Sequence, residues 1–397
     1  MLKLLLITIG AAAAAALSLA LGVAGVSRDR APQRALQWWP EDSRALTELA
    51  VQALGEGELG QRRRAGDIAR QAIRRDPLSS NAYAILALAR AEDNASAARA
   101  MAYSASLSRR NLIPQLWFIE EAVRRNDIGR ALHHYDIALR TSSRAPEILF
   151  PILAQAVREE ALASALARLL ARDPSWKRDF LLHAITNAPD VGAIGDLSLR
   201  SASIGHPFEP SLDSLLIGRL VNAGAFEPAF RLYRRTIAPG DSALVRNGGF
   251  ERADDSTVFD WLLVDEGDLW ARRAPGDTGL RLEFGAGGSR GGSVARQVLL
   301  LAPGVYRLQA EAGSLAGAGE LAPALIMECA TASGQQLLRA PLTTPDRGRS
   351  RLNATVSVPG SGCAAQRLRL ELRGAQSVME RSGWIDAVAI APLSRGG

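Results

Sequence analysis

Between Ser43 and Ala238 the apolar positions follow a helical period, broken at short intervals by polar or proline-containing stretches. One spacing recurs. Ala65 and Ala72, Ala98 and Ala105, and Ala131 and Ala138 are seven-residue pairs, each 33 residues after the last. Steps close to this give Leu162/Leu169, Gly195/Ala202 and Ala229/Thr236. Five residues after the second member stand Pro77, Pro174 and Pro207. Residues seven apart share a helical face. Small side chains there admit a neighbouring helix, and proline cannot continue the helix before it. The pattern predicts stacked helical hairpins, an α-helical repeat solenoid.

From Asp241 the period drops to two. The runs Thr278–Phe284, Gly304–Ala312, Ala322–Ala330, Gln366–Leu372 and Gly383–Ile390 read as strands, separated by stretches such as "GAGGSRGGS", "PDRGRS" and "VPGSG". Many short strands with no helical stretch among them predict an all-β sandwich of the jelly-roll type. At the seam lies "LVRNGGFERADDSTVFDWLL".

The first segment is different again. Leu4 to Val26, 23 residues, carries no charge, enough to cross ~30 Å of hydrocarbon as a helix. Its length favours an uncleaved signal-anchor; a cleaved signal peptide using "GVAG" is the alternative. The expected organisation is a transmembrane helix over 1–27, a linker over 28–42, the helical repeats over 43–240 and the sandwich over 241–397. The expected location is the bacterial inner membrane, crossed once, with the bulk of the chain periplasmic.

Composition narrows the function. The 397 residues are 47% apolar and 22% charged, those of a folded multidomain chain. The net charge of +6 is carried by the first 240 residues, the remainder being balanced. Its longest basic cluster is Arg62-Arg63-Arg64, and aromatics are 5% of the chain. That combination argues against nucleic acid as a partner.

The helical pairs resemble the tetratricopeptide-repeat family, whose second helix carries alanine, a bulky residue four on, alanine three further on and then proline. "ALHHYDIALR" supplies Ala131, Tyr135 and Ala138; "AFRLYRRT" supplies Ala229 and Tyr233; "IARQAIRRDP" supplies Ala72 and Pro77. The family's first-helix tryptophan and Leu-Gly pair are not evident, and Leu162 and Leu169 replace both alanines in one unit. The resemblance implies a groove that takes a peptide or partner protein. Tyr83, Trp117 and Arg124 are its candidate ligand-binding residues, with packing between hairpins as the blander reading of Trp117 and Phe118.

The second half resembles carbohydrate-binding-module jelly rolls. These open on a strand such as Asn-Gly-Gly-Phe-Glu, carry a tryptophan about ten residues on, and close on a strand reading like Trp-Ile-Asp-Ala-Val-Ala-Ile. The resemblance implies that first and last strands pair, and that Glu251 and Asp386 could contribute to a structural calcium site. Calcium wants six to eight oxygens, and Ala387 stands where the family has a second aspartate; two acids satisfying turn amides is the equal alternative. Sugar recognition needs an exposed ring beside polar groups. Trp270, in "DEGDLWARR", is the expected platform, whereas Trp261 and Trp384 read as core.

Cys329 and Cys363 are the two cysteines. In an exported chain a disulfide is expected, two buried thiols being the alternative. Catalytic constellations are lacking. His133 and His134 point about 100° apart on a helix, "GAGGSRGGS" lacks the Gly-Lys-Ser/Thr ending of a phosphate loop, and there is no Gly-x-Ser-x-Gly elbow. The expectation is no catalytic residue and no cofactor beyond that possible calcium. The expected function is a non-catalytic scaffold binding protein partners in envelope or exopolysaccharide assembly, alternatively a carbohydrate-binding protein.

Overall fold

The computed structural model describes residues 30–55, 59–90, 94–253, 257–287, 289–315, 321–330, 334–343, 348–374 and 381–393. Thirteen helices come first among them. A short α1 (Pro32–Trp38) precedes six successive pairs: α2 (Ser43–Gly55) and α3 (Leu59–Arg75), α4 (Ser80–Ala89) and α5 (Asn94–Leu107), α6 (Leu112–Arg124) and α7 (Ile128–Thr141), α8 (Ala145–Ala156) and α9 (Glu160–Leu170), α10 (Lys177–Asn187) and α11 (Val191–Ser203), α12 (Pro210–Asn222) and α13 (Phe226–Thr236).

Each seven-residue pair read from the sequence falls on the second helix of its hairpin. Ala65, Ala72, Ala131 and Ala138 are buried as expected. In three hairpins a buried pair stands one residue away from the assigned one: Ala97 and Ser104 on α5, Ala163 and Leu170 on α9, and Ile194 and Ser201 on α11, against Ala98/Ala105, Leu162/Leu169 and Gly195/Ala202. A fixed step of 33 cannot follow loops that change length by one residue. Pro77, Pro174 and Pro207 lie just past α3, α9 and α11. Helix starts are fixed by side chains that accept an orphan amide hydrogen. Asn111 Oδ1 accepts from Ile113 N at 3.1 Å, Asp127 Oδ1 from Arg130 N at 2.9 Å and Asp190 Oδ1 from Ala193 N at 3.1 Å.

The described chain divides into two compact units, residues up to 153 with 172–178, and residues 154–171 with 179 onward. In the first, small residues let α4 and α5 approach closely. Ser80 and Ser104 exchange hydrogen bonds there (Ser104 Oγ to Ser80 O, 2.7 Å; Ser80 Oγ to Ser104 O, 2.9 Å), and Asn111 Nδ2 donates to Ser80 Oγ at 2.9 Å. The second unit holds α9, α11 to α13, most of α10 and all the strands. Its helices bury Asp213, whose carboxylate accepts from Ser198 Oγ at 2.7 Å. The change from helix to strand falls between Thr236 and Leu262.

The strands are β1 (Leu262–Leu263), β2 (Asp265–Glu266), β3 (Leu269–Pro275), β4 (Leu280–Ala286), β5 (Gly292–Leu299), β6 (Gly304–Gly313), β7 (Ala324–Cys329), β8 (Gln336–Pro341), β9 (Arg349–Val358), β10 (Gln366–Leu372) and β11 (Arg381–Pro392). They form two antiparallel sheets, ordered β1-β5-β10-β7-β8 and β2-β3-β4-β11-β6-β9. Inward residues of both sheets, including Leu282, Phe284, Leu308, Met327, Leu368, Leu370 and Ile385, enclose Trp261 and Phe250 in one core. Alternation of period two puts one face of the longer strands, such as β4, β6 and β10, into that core.

The Asn-Gly-Gly-Phe-Glu stretch is a tight turn rather than the opening strand expected from the resemblance. Asn247 and Phe250 both have positive φ, 48° and 60°, and Phe250 N donates to Asn247 O at 2.9 Å. It nonetheless meets the last strand: Val388 N donates to Gly248 O at 2.9 Å, at a bulge where Ala387 has φ 50°. A Cβ on Gly248 would overlap the Val388 carbonyl oxygen. Glycine is required there by closeness.

One expectation is overturned. Among the described residues no helix is long and apolar enough to cross a membrane. Single-pass insertion in the inner membrane therefore does not stand as the location of this chain. The stretch 1–27, on which that expectation rested, lies outside the described residues.

Candidate functional site

Strand alternation also builds an outward face on the six-stranded sheet. On β3, Leu269 and Ala271 turn into the core, so Trp270 and Arg272 turn out; on β4, Leu282 and Phe284 turn in, so Arg281, Glu283 and Gly285 turn out. On β11, Ile385 turns in and Trp384 turns out. Register then aligns the row Arg272–Glu283–Trp384–Gly313–Arg349 across five strands, with Trp270 opposite Gly285 beside it.

Both indoles lie down on glycines. A Cβ at Gly285 would stand 2.6 Å from Trp270 Cζ2, and one at Gly313 would overlap the Trp384 ring in the same way. The other sides face guanidinium groups. Arg272 is 4.7 Å from the centroid of Trp270, and Arg281 and Arg349 are 5.1 and 5.4 Å from that of Trp384. Arg281 also donates to Glu283 Oε1 at 2.8 Å. Trp270, Trp384, Arg281, Glu283, Ser314 and Ser382 line a cleft of about 320 Å³. It holds two indoles capped by arginines, a hydroxyl-bearing edge and a paired donor and acceptor.

Trp384 corrects the sequence reading. It is 8% exposed, yet its cover is the strand backbone on one side and two arginines on the other, not the core. The signal was present: adjacent Ile385 is the core residue, so Trp384 has the opposite parity. Trp261 is core, as expected.

Glu251 and Asp386 are brought near each other, with Glu311 close by. Glu251 accepts from Leu280 N with both carboxylate oxygens, at 3.0 and 3.1 Å. Asp386 accepts from Ala387 N at 2.6 Å. Burial, with Glu251 and Glu311 close by, pushes the Asp386 carboxyl above its usual range, against the pull of the Ala387 amide and Arg349. Both carboxylates accept from backbone amides, the role that the alternative to a calcium site gave them. Among the described residues no group of three or more His, Cys, Asp or Glu could hold a metal ion.

The three repeat residues do not converge. Tyr83 packs edge-on against Tyr103, with centroids 4.6 Å apart. Trp117 joins Phe118 against Ala97 and Met101 in a packing cluster, and Arg124 pairs with Glu121 on its own helix. None of them lines the cleft of about 680 Å³ in the first unit, whose walls include Arg44, Glu48, Asp76, Asn81 and Arg110. The sequence reading missed Leu182 and Leu215, exposed apolar residues on the first helices α10 and α12 and one repeat apart. His133 and His134 lie with ring centroids 5.2 Å apart at 71°. His134 instead stacks on Phe118 and contacts Gln115 Oε1 through Nδ1 at 2.8 Å.

Cys329 and Cys363 form a disulfide, Cα–Cα 5.0 Å. It ties the end of β7 to the loop before β10.

The fold thus defines a two-part chain, tetratricopeptide-like helical pairs followed by a sandwich of the kind seen in carbohydrate-binding modules. Among solved structures it is similar to a family 16 carbohydrate-binding module (17% identity, 37% of this chain and 99% of that one, TM-score 0.27). It is similar also to the CBM22-1 xylan-binding domain of Paenibacillus barcinonensis Xyn10C (14%, 38% and 94%, TM-score 0.27). A third is YrrB, a TPR protein with an unusual peptide-binding site (14%, 54% and 95%, TM-score 0.26). No family model and no curated relative matches the chain.

Proposed function

We propose that this chain is a non-catalytic adaptor that holds a glycan on the outward sheet face of its sandwich and a polypeptide on its helical repeats. The observation that carries the reading is the cleft between Trp270 and Trp384, where two indoles flank the Arg281–Glu283 pair and Ser382. A sugar that displaces the covering guanidinium groups stacks its C–H face on a ring, and the paired Arg281 guanidinium and Glu283 carboxylate offer a donor and an acceptor to hydroxyls. Leu182 and Leu215 support the second half of the reading, since exposed apolar residues one repeat apart suit an elongated partner. The disulfide fits an oxidising compartment. Assembly or export of an extracellular polysaccharide is the setting that joins the two binding functions.

Affinity electrophoresis of the full chain through gels containing neutral and acidic glycans tests the reading. Retardation in at least one glycan, reduced about tenfold or more in Trp270→Ala and in Trp384→Ala, is the expected result. Mobility unaffected by every glycan, or retardation indifferent to both substitutions, would remove the glycan half.

A further inference from the structure

Three guanidinium groups cover the indoles of the sheet-face cleft, and Arg272 differs from the other two. Arg281 donates to Glu283 Oε1 and Arg349 to Asp277 Oδ2, both at 2.8 Å. Arg272 makes no hydrogen bond to a carboxylate among the described residues. Its ion-pair contact there is Glu283 Oε2 at 3.9 Å, and that carboxylate already holds Arg281. The Arg272 side chain is 70% exposed. Asp265, opposite Trp270 on β2, lies exposed at the sheet edge and does not pair with Arg272.

Trp270 has one ring face on Gly285, where a Cβ would stand 2.6 Å from Cζ2, and the other under Arg272, 4.7 Å from the centroid. A sugar that stacks on Trp270 must therefore lift Arg272 away. With a neutral sugar, the displaced guanidinium gives up the ring and gains only water or a hydroxyl. A sugar bearing a carboxylate offers it two charge-assisted hydrogen bonds, in the fork geometry that the two groups share. The exposed contact with the ring is weak, and the bidentate pair that replaces it is stronger. One movement of Arg272 then both seats the acid group and uncovers the indole for the C–H face of the sugar.

We propose, on the basis of the glycan-binding reading above, that the cleft selects uronate-bearing glycans, with Arg272 passing from the Trp270 ring to the sugar carboxylate. Arg281 and Glu283, paired with each other, remain for the hydroxyls.

The test is affinity electrophoresis of the full chain with polygalacturonate, polyglucuronate and alginate, each beside its carboxyl-reduced counterpart. Reduction turns the carboxylate into a hydroxymethyl group and keeps the linkages, so the first comparison needs no variant. At least one acidic polymer should bind about fivefold more tightly than its reduced form, the upper range for an exposed ion pair. Arg272→Gln should remove that difference. Arg296→Gln, which takes the same charge from an exposed position on β5 of the other sheet, should keep it. Equal binding of acidic and reduced polymers would overturn the proposal and leave the glycan-binding reading in place. A preference that survives Arg272→Gln, or that Arg296→Gln also abolishes, belongs to the overall charge and overturns the proposal equally. Binding of no polymer in either form would remove both.

Discussion

Tyr233, on the last helix, donates its phenolic hydrogen to Asp260 Oδ1 at 2.5 Å, while Asp260 Oδ2 accepts from Thr257 N at 3.1 Å and Thr257 Oγ1 at 2.8 Å. All three residues are buried. Burial and the bond to Asp260 push the phenol far above its usual range. Tyr233→Phe keeps the ring that packs on Phe259 and faces Arg246, and removes only the hydroxyl. A lost hydrogen bond to a charged, buried acceptor costs about 1.5–3 kcal/mol. Denaturant unfolding should show a lower midpoint with an unchanged slope, the shift multiplied by the slope giving that amount. An unfolding free energy within ~0.5 kcal/mol of the original would mean the bond adds nothing.

Gly285 controls Trp270. With a Cβ there 2.6 Å from Cζ2, the indole in Gly285→Ala must lift off the sheet. Glycan retardation should then fall as far as in Trp270→Ala, and the near-UV circular dichroism should change. Gly360→Ala is the control, since a Cβ at that position meets nothing within 4 Å. Equal spectra and equal retardation in the two variants would show that the resting position of Trp270 is immaterial.

The sequence carried the periodic parts of this structure and little of what joins them. Six helical pairs were legible because close packing demands a small residue at one place per repeat. Their exact register was not, since a connection shorter by one residue shifts the buried face from Ala98 to Ala97. The five strands read from alternation are all present, but Trp384 was misplaced: bulk in an apolar run suggests core, and only parity against Ile385 tells otherwise. The Arg246–Tyr233 contact and the Trp270 and Trp384 seats on Gly285 and Gly313 depend on three-dimensional approach, for which a single chain of letters has no periodic signal. Cys329 and Cys363 could be paired because there were just two.

His134 gives the first unit a pH dependence of known sign. Burial, with His133 and Arg130 close by, lowers its pKa from 6.5 to about 4. The unfolded chain therefore binds a proton that the folded one refuses. Stability from this group is complete above pH ~6.5 and is lost as pH falls through that value toward ~4. His134→Gln keeps a donor for Gln115 Oε1 and cannot titrate. The difference in unfolding midpoint between the original chain and this variant should move against the original as pH drops from 7 to 4.5. A constant difference across that range would contradict the assignment.

The disulfide closes a loop with a sequence separation of 34, within the second unit. Its surroundings add a second restraint, because Gln366 accepts from Leu301 N at 2.8 Å and donates to Cys363 O at 2.9 Å. Loop closure of this length lowers the entropy of the unfolded chain by about 3–4 kcal/mol at room temperature. Both sulfur atoms are buried, so alanine at each position leaves no unsatisfied polar atom and tests the crosslink itself. Cys329→Ala/Cys363→Ala should lower the denaturant midpoint of the sandwich by a loss of about 2–4 kcal/mol, while the pH dependence tied to His134 in the first unit is retained. Reductant should reproduce the loss in the original chain and leave the double variant unchanged. If oxidised, reduced and doubly substituted chains unfold at one midpoint, Gln366 and the strand pairing already fix the loop and the crosslink is redundant.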